Sequence, residues 1–183
     1  MQVNEAIRTR KSVRSYRDEP VPPEVLETII EAGQWAPNAG PFLITVIRNE
    51  SLRQRIDART KEAMLDSGIP FLRERASLAG YQPLYGAPVV LLLSGPKGPY
   101  TGLNAALAAE NMILEATAAG LASCFIVTPA FMLSNPANND LARAAEIPED
   151  HIAQCAVLIG HGADNDPFSL GERVKKGEVR YLD

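Results

Sequence analysis

Hydrophobic residues along the chain follow helical and strand spacings in turn. Helical spacing predicts four amphipathic helices, at 3–9, from Pro22-Pro23 to about Ala36, at 51–65 and at 140–146. Short β-rich apolar runs predict strands at 42–47, 87–93, 121–127 and 152–160, the first of them buried. Because helices and strands interleave, the pattern indicates a layered α/β or α+β domain.

Three segments fit neither spacing well. Residues 66–86 leave open a helix near 71–79 or a lid, and residues 128–139 are predicted to form a polar loop rich in proline and asparagine. The tail, 161–183, has few core-forming residues. Its sequence Val179-Arg-Tyr-Leu182 alternates like an edge strand, so this part of the tail is expected to pair with another strand.

Residues 102–119 form the most apolar predicted helix, and Gly120 provides its C-terminal cap. The helix is rich in alanine and apolar nearly all round. Such a helix is typically buried on every side, which in a chain of this size favours the core of a dimer. An ordinary central helix within one subunit is the alternative.

Composition is that of an ordinary globular protein, with 46% hydrophobic and 22% charged residues among 183. We expect one domain over 1–183, and the absence of a signal peptide or a membrane-length apolar run favours the cytoplasm. Cys124 and Cys155 lie in apolar runs and are expected to be buried, reduced thiols.

Residues 8–17 carry five positive charges and no acid, which reverses the sign of the rest of the chain. Residues 1–17 sum to +4, whereas the remainder sums to −8. Arginine donors interleaved with Ser12 and Ser15 suit a phosphate group. A solvated face, a nucleic-acid arm and a targeting peptide are the other interpretations; the overall charge of −4 disfavours nucleic acid.

No catalytic or metal-binding motif accompanies this segment. Gly160-His-Gly162 lacks the third glycine of a dinucleotide fingerprint, and the lysine of Gly95-Pro-Lys-Gly98 is misplaced for a P-loop. The chain contains no GxSxG, and its two histidines have no metal-ligand spacing. We therefore predict no metal site and no catalytic side chain, so that a cofactor would supply the chemistry of an enzyme.

Several segments, in order along the chain, resemble the FMN-dependent nitroreductases. They are Arg10-Lys-Ser-Val-Arg-Ser-Tyr16, Glu31-Ala-Gly-Gln-Trp-Ala-Pro-Asn-Ala-Gly40, Tyr85-Gly-Ala-Pro-Val-Val90, Ala108-Ala-Glu-Asn-Met-Ile-Leu-Glu-Ala116, Gly120-Leu-Ala-Ser-Cys-Phe-Ile126, Ile159-Gly160 and Arg173. The resemblance implies an α+β fold, a three-layer α/β/α sandwich around a mostly antiparallel sheet. It also implies an intertwined homodimer with FMN at the subunit interface.

The resemblance also implies roles for individual residues. Arg10, Ser12 and Arg14 match residues that bind the FMN phosphate and ribityl chain, and Arg173 matches a late basic residue that closes on the same phosphate. Lys11 matches a neighbour whose backbone and side chain reach the flavin. Pro37, Asn38 and Ala39 match a loop that contacts the flavin from the other subunit. Phe125, Ile126 and Val127 match the stretch that lies against the flavin ring. This sequence departs from the family pattern at two places. The loop after Gly40 is about three residues shorter here, and Gly171 stands where the family usually has a lysine.

The implied function is the transfer of electrons from NAD(P)H through FMN to a nitroaromatic, a quinone or a similar small acceptor, by a ping-pong mechanism. A non-catalytic flavin- or tetrapyrrole-binding module on the same fold is the alternative. No nucleic-acid or membrane partner is expected.

Overall fold

A twisted antiparallel sheet forms the middle of the molecule. The computed structural model describes residues 1–171 and 173–182, and within them the sheet has four strands in the order β1-β2-β4-β3. The strands are β1 (Leu43–Ile47), β2 (Val89–Pro96), β3 (Ala122–Ile126) and β4 (His151–Gly160). The two central strands are apolar on both faces, because helices cover the sheet on both sides.

Two apolar clusters separate the sheet from its helices. On one side lie α2 (Pro23–Gln34) and α5 (Thr101–Ala118), with α1 (Val3–Thr9) against α5. The helices of the other side are α3 (Glu50–Leu65), α4 (Pro70–Ala76), α6 (Thr128–Leu133) and α7 (Asn139–Ala144), with a 3₁₀ turn at Pro136–Asn138. The predicted three-layer α/β/α sandwich with an antiparallel sheet is therefore confirmed.

Local sequence signals explain where several helices begin and end. Pro23 occupies the first turn of α2, where its missing N–H costs nothing. The side chain of Asn49 accepts a hydrogen bond from Leu52 N at 2.8 Å and so caps α3. Gly120 follows α5 with φ of +77°, and the Leu121 N–H returns to Ala116 O at 2.8 Å, as predicted for a glycine-ended helix.

The structure corrects two of the predicted elements. β1 is an edge strand in which Ile47 is buried and Val46 is exposed, so the expectation of a buried strand at 42–47 is wrong. The predicted loop at 128–139 instead contains α6 and the 3₁₀ turn. Pro129 starts α6 without helical cost, and Met132 and Leu133 are buried on the side of α3 and β4.

The segment 66–86 contains α4, which confirms a helix in this region. Arg75 of α4 donates to Tyr85 Oη at 3.1 Å and to Phe168 O at 3.0 Å. The rings of Tyr81, Tyr85 and Phe168 pack against one another with centroids 5.5–6.0 Å apart. This cluster joins α4 to the chain that follows β4.

Only one face of α5 is buried within the subunit. Ala105, Ala109 and Met112 pack towards the sheet and α2, whereas Leu103 is 61% and Leu107 is 47% exposed. The expectation that the helix is buried on every side is therefore not met by one chain. The exposed leucines form an apolar surface, which we call the open face of α5.

The tail divides into two parts. Residues 161–170 pack on their own subunit through Asp166 and Phe168. Residues 174–182 are exposed, and the structure assigns them no strand. The predicted pairing of Val179–Leu182 with another strand stays a prediction. In the described part of the chain, every helix is too short or too polar to cross a membrane.

Candidate anion-binding site

The basic segment leaves α1 and runs beside the start of β3. Arg10 turns the chain out of the helix with an extended ψ of 139°. Ser12 forms an isolated parallel bridge with Ser123, and the Val13 N–H donates to Ser123 O at 2.9 Å. The backbone of the basic segment is therefore held against β3 at Ser123, two residues before Phe125.

The side chain of Arg10 has a buried donor, Nε, that lacks a hydrogen-bond acceptor within the described residues. Its Nε lies 3.2 Å from Glu110 Oε1 of α5, which makes an ion pair. The contact lacks hydrogen-bond geometry, and within the described residues this buried Nε has no hydrogen-bond partner. A buried donor without an acceptor is costly, so an anionic oxygen bound here would stabilise the site.

Arg173 reaches the same place from the far end of the chain. Its Nη1 donates to Ile7 O at 2.6 Å and to Arg10 O at 3.0 Å. These carbonyl oxygens lie at the C-terminal end of α1, where a cation is favourable. The structure thus brings together Arg10 and Arg173, which the sequence places 163 residues apart.

The backbone of Arg14 is held by Asp166, a residue that the sequence predictions do not assign to the site. The Arg14 N–H donates to Asp166 Oδ2 at 2.9 Å, and Asp166 Oδ1 accepts from Phe168 N at 3.1 Å. Arg14 Nη1 also donates to Ser12 O at 3.2 Å. The guanidinium is thereby folded back over the basic segment. Lys11 is exposed on the same segment.

The end of β3 gives this site an apolar neighbour. Phe125 is 41% exposed, and Ile126 and Val127 are half-buried. These are the residues that the sequence predicts to lie against a flavin ring. A charged cluster next to a partly exposed apolar strand fits a ligand that has an anionic end and a flat apolar body.

The loop of Pro37, Asn38 and Ala39 lies elsewhere on the same subunit. It follows α2, is exposed, and borders a cleft of about 380 Å³ lined also by Ile30 and Gln34. Asn104 of α5 holds this loop: its Oδ1 accepts from Ala39 N at 3.0 Å, and its Nδ2 donates to Gly40 O at 3.4 Å.

The α5 helix separates the loop from the basic segment. Asn104 binds the loop, and Glu110 pairs with Arg10. Six residues of helix place these two side chains about 120° apart around the axis and about 9 Å along it. The structure therefore does not bring the loop and the basic segment of one chain to the same side of α5.

The buried groups behind the site are held neutral. Burial raises the pKa of the Tyr16 hydroxyl well above its ordinary value. Burial also raises the pKa of the Cys124 thiol, although Arg14 partly opposes that shift. Cys155, on the other face of the sheet, has its pKa raised to about 12 by burial. Both cysteines are free and buried, as predicted, and neither has the low pKa of a reactive thiolate.

Fold and site together define an α+β protein with a cluster of basic residues beside an exposed apolar helix face. The chain belongs to the nitroreductase family, whose family model matches residues 7–161. A nitroreductase of Bacteroides fragilis NCTC 9343 with bound FMN has a similar structure, with a TM-score of 0.87 and 30% identity over 100% of both chains.

Two further proteins are similar. A Desulfitobacterium hafniense DCB-2 nitroreductase with bound FMN has a TM-score of 0.84 and 21% identity, covering 98% of this chain and 100% of its own, which concerns the fold alone. A Methanothermobacter thermautotrophicus protein, provisionally named NADH dehydrogenase/NAD(P)H nitroreductase, is 27% identical over 174 residues. That match covers 90% of this chain and 80% of the relative.

Proposed function

We propose that the protein is an FMN-dependent oxidoreductase that passes electrons from NAD(P)H to a nitroaromatic, a quinone or a similar small acceptor. The observation that carries the proposal is the convergence of Arg10 and Arg173 at the end of α1, with a buried Arg10 Nε lacking a hydrogen-bond acceptor in the described chain. Family membership and the bound FMN of the Bacteroides fragilis relative support the same cofactor.

The donor set fits a flavin phosphate. Arg10, Arg14 and Arg173 offer charge-assisted donors, Ser12 offers a hydroxyl, and Lys11 adds a further positive charge. Glu110 and Asp166 partly balance these charges and orient Arg10 and the Arg14 backbone. In this arrangement Phe125, Ile126 and Val127 would provide the apolar surface against the isoalloxazine ring and would keep water from that side of it.

A homodimer would complete the site. The open face of α5 carries Leu103 and Leu107, which a second copy would bury. The loop at Pro37–Ala39 lies on another side of α5 from its own basic segment, so it is available to the flavin of the partner. The free edge of β1 and the exposed residues 174–182 offer strand pairing between subunits.

When bound, FMN would supply the redox chemistry that links NAD(P)H to the acceptor. The protein binds, orients and desolvates the cofactor, and we assign no side chain as an acid or a base. Burial keeps Tyr16 and Cys124 protonated and away from the chemistry. The chain has no dinucleotide fingerprint, so both substrates are proposed to use one pocket in turn, which is a ping-pong mechanism.

A visible spectrum of the purified protein tests the cofactor and the activity together. We expect a yellow protein that bleaches when NADH or NADPH is added under nitrogen and recovers its colour with a quinone. Double-reciprocal plots at several acceptor concentrations should be parallel. A yellow protein that neither reductant bleaches would indicate a flavin-binding module instead, and intersecting lines would contradict the shared pocket.

A further inference from the structure

We propose that Asn104 is a positioning residue that fixes the conformation of the 37–40 loop for flavin binding. Asn104 is 4% exposed and lies on α5, 65 residues from Ala39. Its carboxamide accepts from Ala39 N at 3.0 Å and donates to Gly40 O over a longer 3.4 Å. One buried side chain thus bonds to the backbone of two consecutive loop residues.

The loop itself has few local constraints. Pro37 has no N–H to donate, and residues 37–40 are all exposed. Gly40 has φ of +133°, a conformation that residues other than glycine rarely adopt. A loop of this kind samples several conformations unless the surrounding structure fixes one of them. The shorter and stronger bond, from Ala39 N to Asn104 Oδ1, supplies that constraint from a rigid helix.

The chain just after the loop is fixed by close packing. A Cβ on Gly95 of β2 would lie 3.3 Å from Pro41 O and 2.9 Å from Thr101 Cγ2. The backbone at Pro41 therefore contacts the sheet directly, beside the first turn of α5. With Pro41 held by the sheet and Ala39 held by Asn104, the short segment between α2 and β1 has one geometry.

This inference rests on the proposed function, because it takes the 37–40 loop as a flavin contact. A loop that is already ordered loses less conformational entropy when a ligand binds, so the ligand binds more tightly. Asparagine suits the position because its side chain is both a donor and an acceptor. Leucine has nearly the same shape but can do neither.

Asn111 offers a matched control on the same helix. Its Nδ2 donates to Ala32 O of α2 at 3.1 Å, five residues before the loop begins. Each of the variants Asn104→Leu and Asn111→Leu removes a side-chain amide of α5. The amide of Asn111 bonds to the backbone of α2, and that of Asn104 bonds to the backbone of the loop that follows α2. Thermal melts of both variants measure the general loss of stability, and only Asn104→Leu should release the loop.

Two measurements test the proposal. Hydrogen–deuterium exchange of the flavin-free protein, followed by mass spectrometry of peptides over 36–42, should show about tenfold faster exchange in Asn104→Leu than in wild type or Asn111→Leu. Fluorescence titration with FMN should give a Kd about tenfold higher for Asn104→Leu and within about twofold of wild type for Asn111→Leu. Asn104→Asp keeps the acceptor for Ala39 N, so it should lie between wild type and Asn104→Leu. Asn104→Ala removes both hydrogen bonds and replaces the leucine variant if that variant does not fold.

The outcomes separate this inference from the proposed function. If wild type binds no FMN, both fall. If wild type binds FMN and Asn104→Leu, or Asn104→Ala in its place, binds it equally well with unchanged loop exchange, the positioning role of Asn104 alone is wrong. Equal weakening by Asn104→Leu and Asn111→Leu would also overturn it, because that result indicates a general loss of structure.

Discussion

The carboxylate of Asp166 accepts a hydrogen bond from the backbone N–H of Arg14 at 2.9 Å, across 152 residues of sequence. Its other oxygen accepts from Phe168 N, so the acid fixes its own loop and the basic segment at once. The basic segment therefore depends for its shape on a residue that follows the last strand.

Asp166→Ala should weaken FMN binding about five- to tenfold, because the Arg14 backbone loses its acceptor and the phosphate loses an oriented donor. Asp164→Ala is the control, since Asp164 is exposed two residues away in the same loop. Fluorescence titration of the flavin-free proteins measures both. Equal affinities for the two variants would show that Asp166 does not shape the site.

Arg14→Glu should release FMN, with a Kd at least about a hundredfold higher than that of wild type. The substitution replaces a charge-assisted donor by a carboxylate that repels the phosphate. Arg17→Glu makes the same charge change three residues along, where Arg17 Nη2 lies 3.3 Å from the exposed Glu19. It should alter affinity by less than about threefold. Retention of flavin by Arg14→Glu through gel filtration would remove Arg14 from the site.

Leu107→Glu should separate the subunits of the proposed dimer. A two-fold axis along the open face of α5 would bring both new carboxylates into one apolar interface, and the dimer dissociation constant should rise about a hundredfold. Leu78→Glu is the control, because Leu78 is 44% exposed, close to the 47% of Leu107, and lies on the opposite layer of the sandwich. Sedimentation velocity at micromolar concentration measures both. A dimeric Leu107→Glu protein would place the interface elsewhere.

Asp57 should make stability depend on pH in an unusual direction. Burial raises the pKa of this α3 carboxyl, and the hydrogen bond from Leu84 N and the charge of Lys61 only partly oppose the shift. The folded state therefore binds the proton more tightly than the unfolded state. Its contribution to stability is complete below the unfolded pKa of about 3.9 and is lost as pH rises through the raised folded value.

Asp57→Asn keeps an oxygen that can accept from Leu84 N but removes the charge. At pH 7 the variant should melt about 1–3 °C above wild type, and the difference should shrink towards zero near pH 3.5. Asp66→Asn, at the exposed C-terminal end of α3, serves as the comparison. A variant that melts below wild type at pH 7 would mean that the charged form of Asp57 stabilises the fold.

Hydrophobic periodicity, together with the prolines and glycines that mark the ends of helices, was sufficient to predict much of the fold. Pro23 and Gly120 mark a helix start and a helix end, and the apolar runs at β2 and β4 predict central strands. The helix at 128–133 was missed because Pro129, a favourable first-turn residue, also signals a loop. The edge position of β1 depends on strand order, which composition does not encode.

Parts of the candidate site could not be predicted from the sequence, for a different reason. The basic segment is visible because its charges are consecutive. Asp166 and Asn104 act through hydrogen bonds to backbone groups 152 and 65 residues away, and nothing in their neighbouring sequence marks them. The pairing of Arg10 with Glu110 likewise follows from the packing of α1 on α5.

The position of α5 between the loop and the basic segment has a genetic consequence. In the proposed dimer, each flavin takes Arg14 from one subunit and the 37–40 loop from the other. A mixed dimer of an Arg14→Glu chain and an Asn104→Leu chain then contains one site with both defects and one site with neither. Co-expression of the two variant chains would therefore restore normal flavin binding at one of the two sites in every mixed dimer, which neither variant has alone, a case of complementation between lesions in a single gene.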